Sequence, residues 1–553
     1  MKIKPIKMEH LGLVSGMCDE LGIVDLINHR IGPNRRKVSV GHAIKAMIVN
    51  ALGFTGRAMY LTPEFFAHRP TDILIGEGIA PQDLNDDSLG TALDALFAAG
   101  LNETFFTVAS QAVSRQGIEH KFAHLDSTTL SLHGTYAAYY APEDLAIDAE
   151  EPGETGNAQV VAITKGYSKD HAPDLNQVVV SLITSYQSSI PLWIESVDGN
   201  ASDKKTFAET IKKYREQLKH GSMPCMVMDS AFYTADNLRD FPDLKWITRV
   251  PETIKEVKQL MQSADVASMQ ELDNGYRIKA VSSQYADTSQ RWLLVCSEQA
   301  KERELETFSR NLEKQEKVDQ ARLDALSNEE FACEADALAA LEKFAKTLKY
   351  HLLDFKAARA EHGYASKGRP AKNMLPSKTV WKTIGHIERD QTVIDQVCSR
   401  KGMFIIATNE LDQTVLHDAD LLSVYKTQGV SVERGFRFLK DPLFFAESLF
   451  LNDPKRIMAL IMVMGLSLLV YSLLERKLRQ NLKTEGQAVR SQTGKPTDNP
   501  TIRWVFMKFE GAMLLEFIDS SGDISHNYPE PTKDIVTILS CLGLNYKKIY
   551  CLH

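Results

Sequence analysis

The sequence predicts a mixed α+β protein: a mixed sheet flanked by helices, preceded by a helical N-terminal domain and interrupted by a large insertion. Three observations carry this. Residues 1 to about 115 show helical apolar spacing with capping residues. Residues 120–235 alternate between β-branched runs and helical patterns, as a sheet covered by helices requires. Residues 236 to about 400 break that alternation with a long, heavily charged helical stretch, and strand and helix patterns return after 400.

In the N-terminal part, 40–52 (VGHAIKAMIVNAL) has helical spacing and ends at Gly53. Asp86, Asp87 and Ser88 offer N-caps for a helix over 89–99, and Asn102 offers one for a helix over 102–116. Short helices joined by turns fit either a helix-turn-helix-like unit or a helical packing module. Strands follow over 122–130, 160–165, 178–184 and 192–197, then a helix over 204–218 and a strand ending CMVMD at Asp229. Residues 143–157, acidic with Pro and Gly, read as a surface loop.

Strands over 245–250 and 291–296 precede the charged stretch 300–350, which predicts a surface pair of helices. The basic segment 363–372 (GYASKGRPAK) reads as a linker or as a minor-groove arm presenting Arg369. A strand over 404–409 and a helix over 418–439 come next. Residues 457–474 (IMALIMVMGLSLLVYSLL) carry no charge and reach the length of a membrane span, but a helix buried on all sides explains them equally by composition. The solitary run and its place after a helix that must pack favour the core reading. Residues 480–500 read as a loop or disordered linker, and 501–517 and 532–542 as ordered again.

A chain of 553 residues implies about three or four units. The expected boundaries are 1–117, 118–236, 237–400, 401–480 and 481–553. Seven scattered cysteines without a CxxC pair exclude a zinc ribbon and a disulfide framework. The first residues lack a secretory leader, so a reducing cytoplasm is expected. The net charge of −8 does not advertise a nucleic-acid partner, yet Arg35, Arg36 and Lys37 form a local basic run. Phosphate-cradling glycine motifs, a nucleophile elbow and HExxH are all missing.

The chemistry-bearing residues are acids. Asp126 lies within a strand pattern, Asp229 ends a short buried strand, and Glu433 sits on a helix. Carboxylates on rigid elements can converge on Mg²⁺, which prefers oxygen ligands. Two such ions can clamp the attacking and leaving oxygens of a phosphodiester. Glu433, Arg437 and Lys440 share one helix face at i, i+4, i+7, beside an apolar stripe of Val432, Phe436 and Leu439. That arrangement suits a metal ligand next to two phosphate holders, although a surface ion pair has the same spacing. Two polar clusters, 166–177 (GYSKDHAPDLNQ) and 198–203 (DGNASD), read first as turns. Lys169 and His171 are further candidates for phosphate contact.

Taken in order, LNDDSLGTALDALFAAG, HLDSTTLSLHG, GYSKDHAPDLNQ, DGNASD, MDSAFYTADNL, KWITRVP and YKTQGVSVERGFRFLK resemble bacterial insertion-sequence transposases of the DDE class. The resemblance covers nearly the whole chain. It implies a ribonuclease-H-like catalytic domain with a β-containing insertion domain between the second Asp and the Glu. It places the catalytic, metal-binding triad on Asp126, Asp229 and Glu433, with two Mg²⁺ per site and Mn²⁺ able to substitute. The family signature around the Glu has Tyr, Arg, Glu and Lys. Tyr425, Glu433 and Lys440 match in type, while Gln428 stands near the Arg position and Tyr425 is displaced by one residue. Expected DNA contacts are thus Tyr425, Arg437 and Lys440, with Arg35, Arg36, Lys37 and Arg369 added from the basic segments. The resemblance also implies excision through a hairpin, a Trp set against a flipped base (Trp246 or Trp292), transposon-end and target DNA as partners, and a homodimer or larger synaptic complex. A non-catalytic DNA-binding regulator and a nuclease that cuts without joining are the alternatives.

Overall fold

The computed structural model describes residues 2–33, 36–55, 59–119, 121–133, 160–170, 172–186, 188–218, 221–273, 275–364, 376–441, 451, 453–518 and 524–552. The chain divides into two units. The first comprises Met1–Thr248, Tyr285–Thr288 and Thr408–His553, and the second Arg249–Gln284 and Ser289–Ala407.

The first unit holds a sheet of β1 (Phe122–Leu132), β2 (Asn176–Ser185), β3 (Pro191–Val197), β4 (Cys225–Met228) and β5 (Trp246–Arg249). Its spatial order is β3-β2-β1-β4-β5. β1, β2 and β3 pair antiparallel, and β4 runs parallel to both β1 and β5. Central β1 with an antiparallel meander on one side and parallel strands on the other is the ribonuclease-H-like arrangement. The inner strands are buried on both faces, which is why β2 reads as a continuous apolar run rather than an alternation. The expected strand over 160–165 is instead an irregular segment with one bridge, Thr164 to Gln177.

Helices α1 (Val40–Ala51), α2 (Asp86–Ala98), α3 (Leu101–Arg115), α4 (Asp203–Leu218), α5 (Asp418–Leu439) and α6 (Pro454–Thr484) belong to the same unit. The N-cap of α2 is Asn85, whose side chain accepts from the Ser88 N–H, so Asp86–Ser88 lie inside the helix. Asn102 is likewise inside α3, which begins after Gly100. α1 is buried over nearly its whole length, and its Lys45 amine is paired with Asp19 at 2.6 Å. A helix so enclosed cannot enter a DNA groove, so it is a packing helix.

The hub is α6. It packs on α1, α2, α3, β3 and the helix Lys533–Leu542. Its apolar run is hydrophobic on all sides because neighbours surround it. Among the described residues it is the one helix long and apolar enough to cross a membrane, and 89% of that window is buried inside the protein. Residues 480–500 are ordered, contrary to the linker reading: α6 runs to Thr484, and Val489–Arg490 pairs with Pro496–Thr497. The first strand, Lys2–Lys7, pairs with Met513–Ile518, so both ends of the chain join one core.

In the second unit, Met403–Thr408, Thr288–Ser297, Tyr276–Tyr285 and Gln270–Leu272 lie side by side in that order. A 31-residue helix, Glu298–Asn328, is followed by Glu334–Ala345. These helices pack on a long antiparallel hairpin, His351–Gly363 with Lys378–Arg389, through a small core of Leu323, Leu341, Phe344 and Ile387. The hairpin is absent from the sequence reading, which placed a linker at 363–372. Residues 365–375, with Arg369, lie outside the described residues, as does the whole acidic segment 143–157.

Candidate active site

Asp126 lies in the middle of β1, and Asp229 follows the last residue of β4. The parallel register pairs Ala123 with Met226 and His124 with Val227. Two residues further on, the same register sets Asp126 level with Asp229, on one face of neighbouring strands about 5 Å apart. Their charges act on one another accordingly. Asp126 Oδ1 accepts from the Ser127 N–H at 2.7 Å, and Asp229 Oδ1 accepts from the Ala231 N–H at 2.8 Å. Burial pushes the Asp126 carboxyl up to about 6 and raises that of Asp229 as well. Nearby Lys169 works in the opposite direction on both.

Glu433 sits on α5, which covers this face of the sheet. Asp126 is directly opposite Leu182 on β2, so the two side chains share a face. Leu182 in turn lies under Gly435: a Cβ there would come within 2.8 Å of Leu182 Cδ2, so glycine permits the helix to approach this closely. Gln428 donates to the Leu125 carbonyl at 3.4 Å, and the Ser431 hydroxyl meets Thr184 Oγ1 at 2.8 Å. Gln428 thus seats the helix on β1 rather than facing DNA. On the far side, Arg434 reaches Glu475 of α6 at 2.5 Å. Glu433 itself is exposed.

Among the described residues, Asp354, His386 and Glu388 are the group whose ligand atoms all lie within 4.8 Å of one another. They are exposed on the second unit's hairpin. Asp126, Asp229 and Glu433 do not close to that distance as a trio, as expected of like charges with no cation between them.

The remaining candidates are placed as follows. Arg437 is exposed on α5 and Tyr425 is half-buried there. Lys440 ends the helix with its amine on Asp170 at 2.6 Å, and Lys37 pairs with Asp83 at 2.6 Å. Arg36 is exposed, while Arg35 and His171 lie outside the described residues. Trp246 and Trp292 are 1% and 4% exposed, core rings with no face open to a base.

Two features were hidden in the sequence. The clusters GYSKDHAPDLNQ and DGNASD interlock rather than forming independent turns. Gln177 Nε2 donates to the Tyr167 and Gly199 carbonyls, and Asp198 Oδ1 accepts from the Ala162 N–H at 2.7 Å. Gly166 and Gly199 pass so close that a Cβ on Gly166 would strike the Gly199 carbonyl, and one on Gly199 the Gln177 carbonyl. The docked loops bring Lys169 and Asp203 together at Ser127, the residue after Asp126, where the two form an ion pair at 3.2 Å. The signal was the density of polar residues in both motifs, but their partnership is non-local. A cavity of about 480 Å³ near Trp193, Glu195 and Lys213 touches this cluster at Asp198 and is lined by none of Asp126, Asp229 and Glu433.

A family model described as "Transposase DDE domain" matches residues 119–471, and one described as "Domain of unknown function (DUF4277)" matches residues 2–110. No curated protein matches the chain. Among solved structures, the cryo-EM structure of a piggyBac transposase synaptic complex with hairpin DNA aligns at 9% identity with a TM-score of 0.36, covering 92% of this chain and 82% of that one.

Proposed function

We propose, for a chain that belongs to the transposase DDE-domain family and is therefore a DNA-cleaving transposase, that Asp126, Asp229 and Glu433 are its catalytic carboxylates. The observation that carries the assignment is the placement of Asp126 and Asp229: two half-buried acids that the register of adjacent strands, carried two residues further, sets at one level, their charge only partly compensated. Such a donor set fits a divalent cation, since the oxygens are hard ligands and the pocket is short of positive charge. The family uses divalent metal; we assign two Mg²⁺, with Mn²⁺ as a substitute, to Asp126, Asp229 and Glu433. When bound, such ions polarise phosphodiester oxygens and lower the pKa of water.

The chain's own residues do the rest. β1 and β4 present two acids from a rigid sheet. Gln428, Ser431 and Gly435 hold α5 on that sheet, and Glu475 holds it from behind, so Glu433 is carried on a helix fixed against the strands of the pair. Arg437 and Lys440 lie on the same flank of α5 as Glu433, where they would hold the DNA backbone, with Tyr425 one to two turns before them. Lys440 must first exchange Asp170 for a phosphate. Further contacts are assigned to Arg35, Arg36, Lys37 and Arg369.

Transposases bind transposon ends. This one would cut at the ends of its own insertion sequence in a bacterial cytoplasm, as a dimer or larger synaptic assembly. The freed 3′-hydroxyl would then attack another strand. The test is cleavage of DNA carrying the inverted repeats that flank the gene, with Mg²⁺ and with Mn²⁺. Asp126→Ala, Asp229→Ala and Glu433→Ala should each abolish product on a gel. Cutting by any of them at the wild-type rate removes that residue from the site.

A further inference from the structure

Resting on that reading of the site, we propose that Lys169 and Asp203 are positioning residues for the Asp126–Asp229 pair, joined through Ser127 into one hydrogen-bonded unit. Ser127 follows Asp126 on β1, so its side chain points to the opposite face of the sheet. Its hydroxyl donates to Asp203 Oδ1 at 2.6 Å. The Lys169 amine donates to the Ser127 carbonyl at 2.7 Å and to Ser127 Oγ at 3.0 Å, and meets Asp203 Oδ2 at 3.2 Å. An ammonium has three N–H groups, and three acceptors take them. Both Asp203 oxygens are engaged as well. Lys169 is therefore committed to the protein rather than held ready for a phosphate, and Asp203 is committed to Lys169 and Ser127 rather than to an ion.

The unit ties three segments to one point. Ser127 belongs to β1, Asp203 opens α4, and Lys169 lies in the interlocked loop, whose backbone N–H at Lys169 also reaches Thr129 Oγ1 at 3.1 Å. The next residue, Asp170, holds Lys440 at the end of the Glu433 helix. The loop thus grips the strand of one catalytic acid and the helix of another. It also sets one fixed positive charge at Ser127, the residue that follows Asp126. A cation so placed would offset part of the repulsion between the two acids, which would hold a divalent ion when it is bound. Groups that orient metal ligands in this way typically change metal affinity or activity by about 10- to 100-fold.

The experiment compares full-length wild type with Lys169→Met, Asp203→Asn, the double variant, Lys169→Arg and Asp126→Ala. Mn²⁺ binding is measured by calorimetry without DNA. Single-turnover cleavage is measured on saturating inverted-repeat DNA, and DNA affinity as a function of salt. Lys169 and Asp203 are each 31% exposed at the side chain, so these changes bury no new charge and the fold should tolerate them. We expect each single change to weaken Mn²⁺ binding and slow cleavage about 10- to 100-fold. The double variant should be no worse than the poorer single, because either change opens the unit. DNA affinity and its salt slope should hold, and Lys169→Arg should recover part of the loss.

Three results overturn the proposal. One is intact Mn²⁺ binding in Lys169→Met with weaker DNA binding and a salt slope lower by about one, which marks a phosphate contact. Another is losses that multiply in the double variant. The third is unimpaired single variants beside an inactive Asp126→Ala, which defeats the positioning role alone. If Asp126→Ala itself binds Mn²⁺ and cleaves like wild type, the reading of the active site fails, and the positioning role fails with it because it acts through Asp126.

Discussion

The helical hub around Glu475 and the central strand around Asp126 both draw a carboxylate away from water, and they treat it in opposite ways. Glu475, 4% exposed on α6, accepts from Arg434 at 2.5 Å, from Arg479 at 2.9 Å and from the Ile502 N–H at 2.9 Å. Three donors, two of them guanidinium groups, answer the oxygens that burial has stripped of water. Asp126 accepts one backbone N–H and has an acid, Asp229, as its neighbour in register. Its proton is held up to about 6 because burial outweighs Lys169. A compensated buried acid holds structure together; one left short of positive charge is a place for a cation. The two meet across α5, where Arg434 is bound to Glu475 and its neighbour Glu433 faces outward.

The contrast is testable at both ends. The largest effect is expected at the central strands. Asp126→Ala or Asp229→Ala should reduce single-turnover cleavage at least a thousandfold, about 4 kcal/mol, with a melting temperature equal to or above wild type, since an uncompensated charge has been removed. A variant that loses activity only in proportion to lost fold would erase the distinction. Glu475→Ala should behave in reverse. It leaves the half-exposed Arg434 and Arg479 and the buried Ile502 N–H without their partner, at a cost of about 1–3 kcal/mol in urea denaturation; no measurable cost would show that water replaces the acid. Third, Mn²⁺ at a hundredfold excess over its dissociation constant should stabilise wild type by about 2.7 kcal/mol. Glu475→Gln should keep this gain and Asp126→Ala should lose it.

The smallest effect sharpens the contrast through pH. His10, in the hub, bonds the Leu52 carbonyl at 2.7 Å and stacks on Phe506, and burial lowers its pKa from 6.5 to about 4. A folded pKa below the unfolded one means that unfolding takes up a proton between pH 6.5 and 4. Stability from His10 is complete above 6.5 and is lost as pH falls towards 4, about 2 kcal/mol by pH 5. At Asp126 the sign is inverted. Its folded pKa, about 6, exceeds its ordinary value of 3.8, so its contribution is present below 3.8 and is lost as pH rises through 6. Asp126→Asn should therefore deepen the acid-side loss of stability, and His10→Gln should flatten it, in melts between pH 5 and 7.

Much of this frame is legible in local pattern. The helix over 418–439 is found at those bounds, and the strand of Asp126 is longer than expected by two residues. The apolar run 457–474 is a core helix, as its isolation indicated. The hairpin of His351–Gly363 and Lys378–Arg389 was not legible, because much of it is exposed and it shows no sustained alternation of apolar and polar residues. Gln428 stood only as a departure from the family's Arg position, because nothing within a few residues of it reveals the Leu125 carbonyl beneath.

By itself, then, the sequence determined the elements and the acids they carry, because 3.6-residue and two-residue periodicities, caps and turn residues act over a few neighbours. Tertiary structure alone decided which charges are compensated. The partners of Ser127 are Lys169 and Asp203, and that of Arg434 is Glu475, 41 to 76 residues away in the chain. Burial raises the electrostatic cost of an unpaired charge and the value of a paired one, and burial exists only once distant segments have packed.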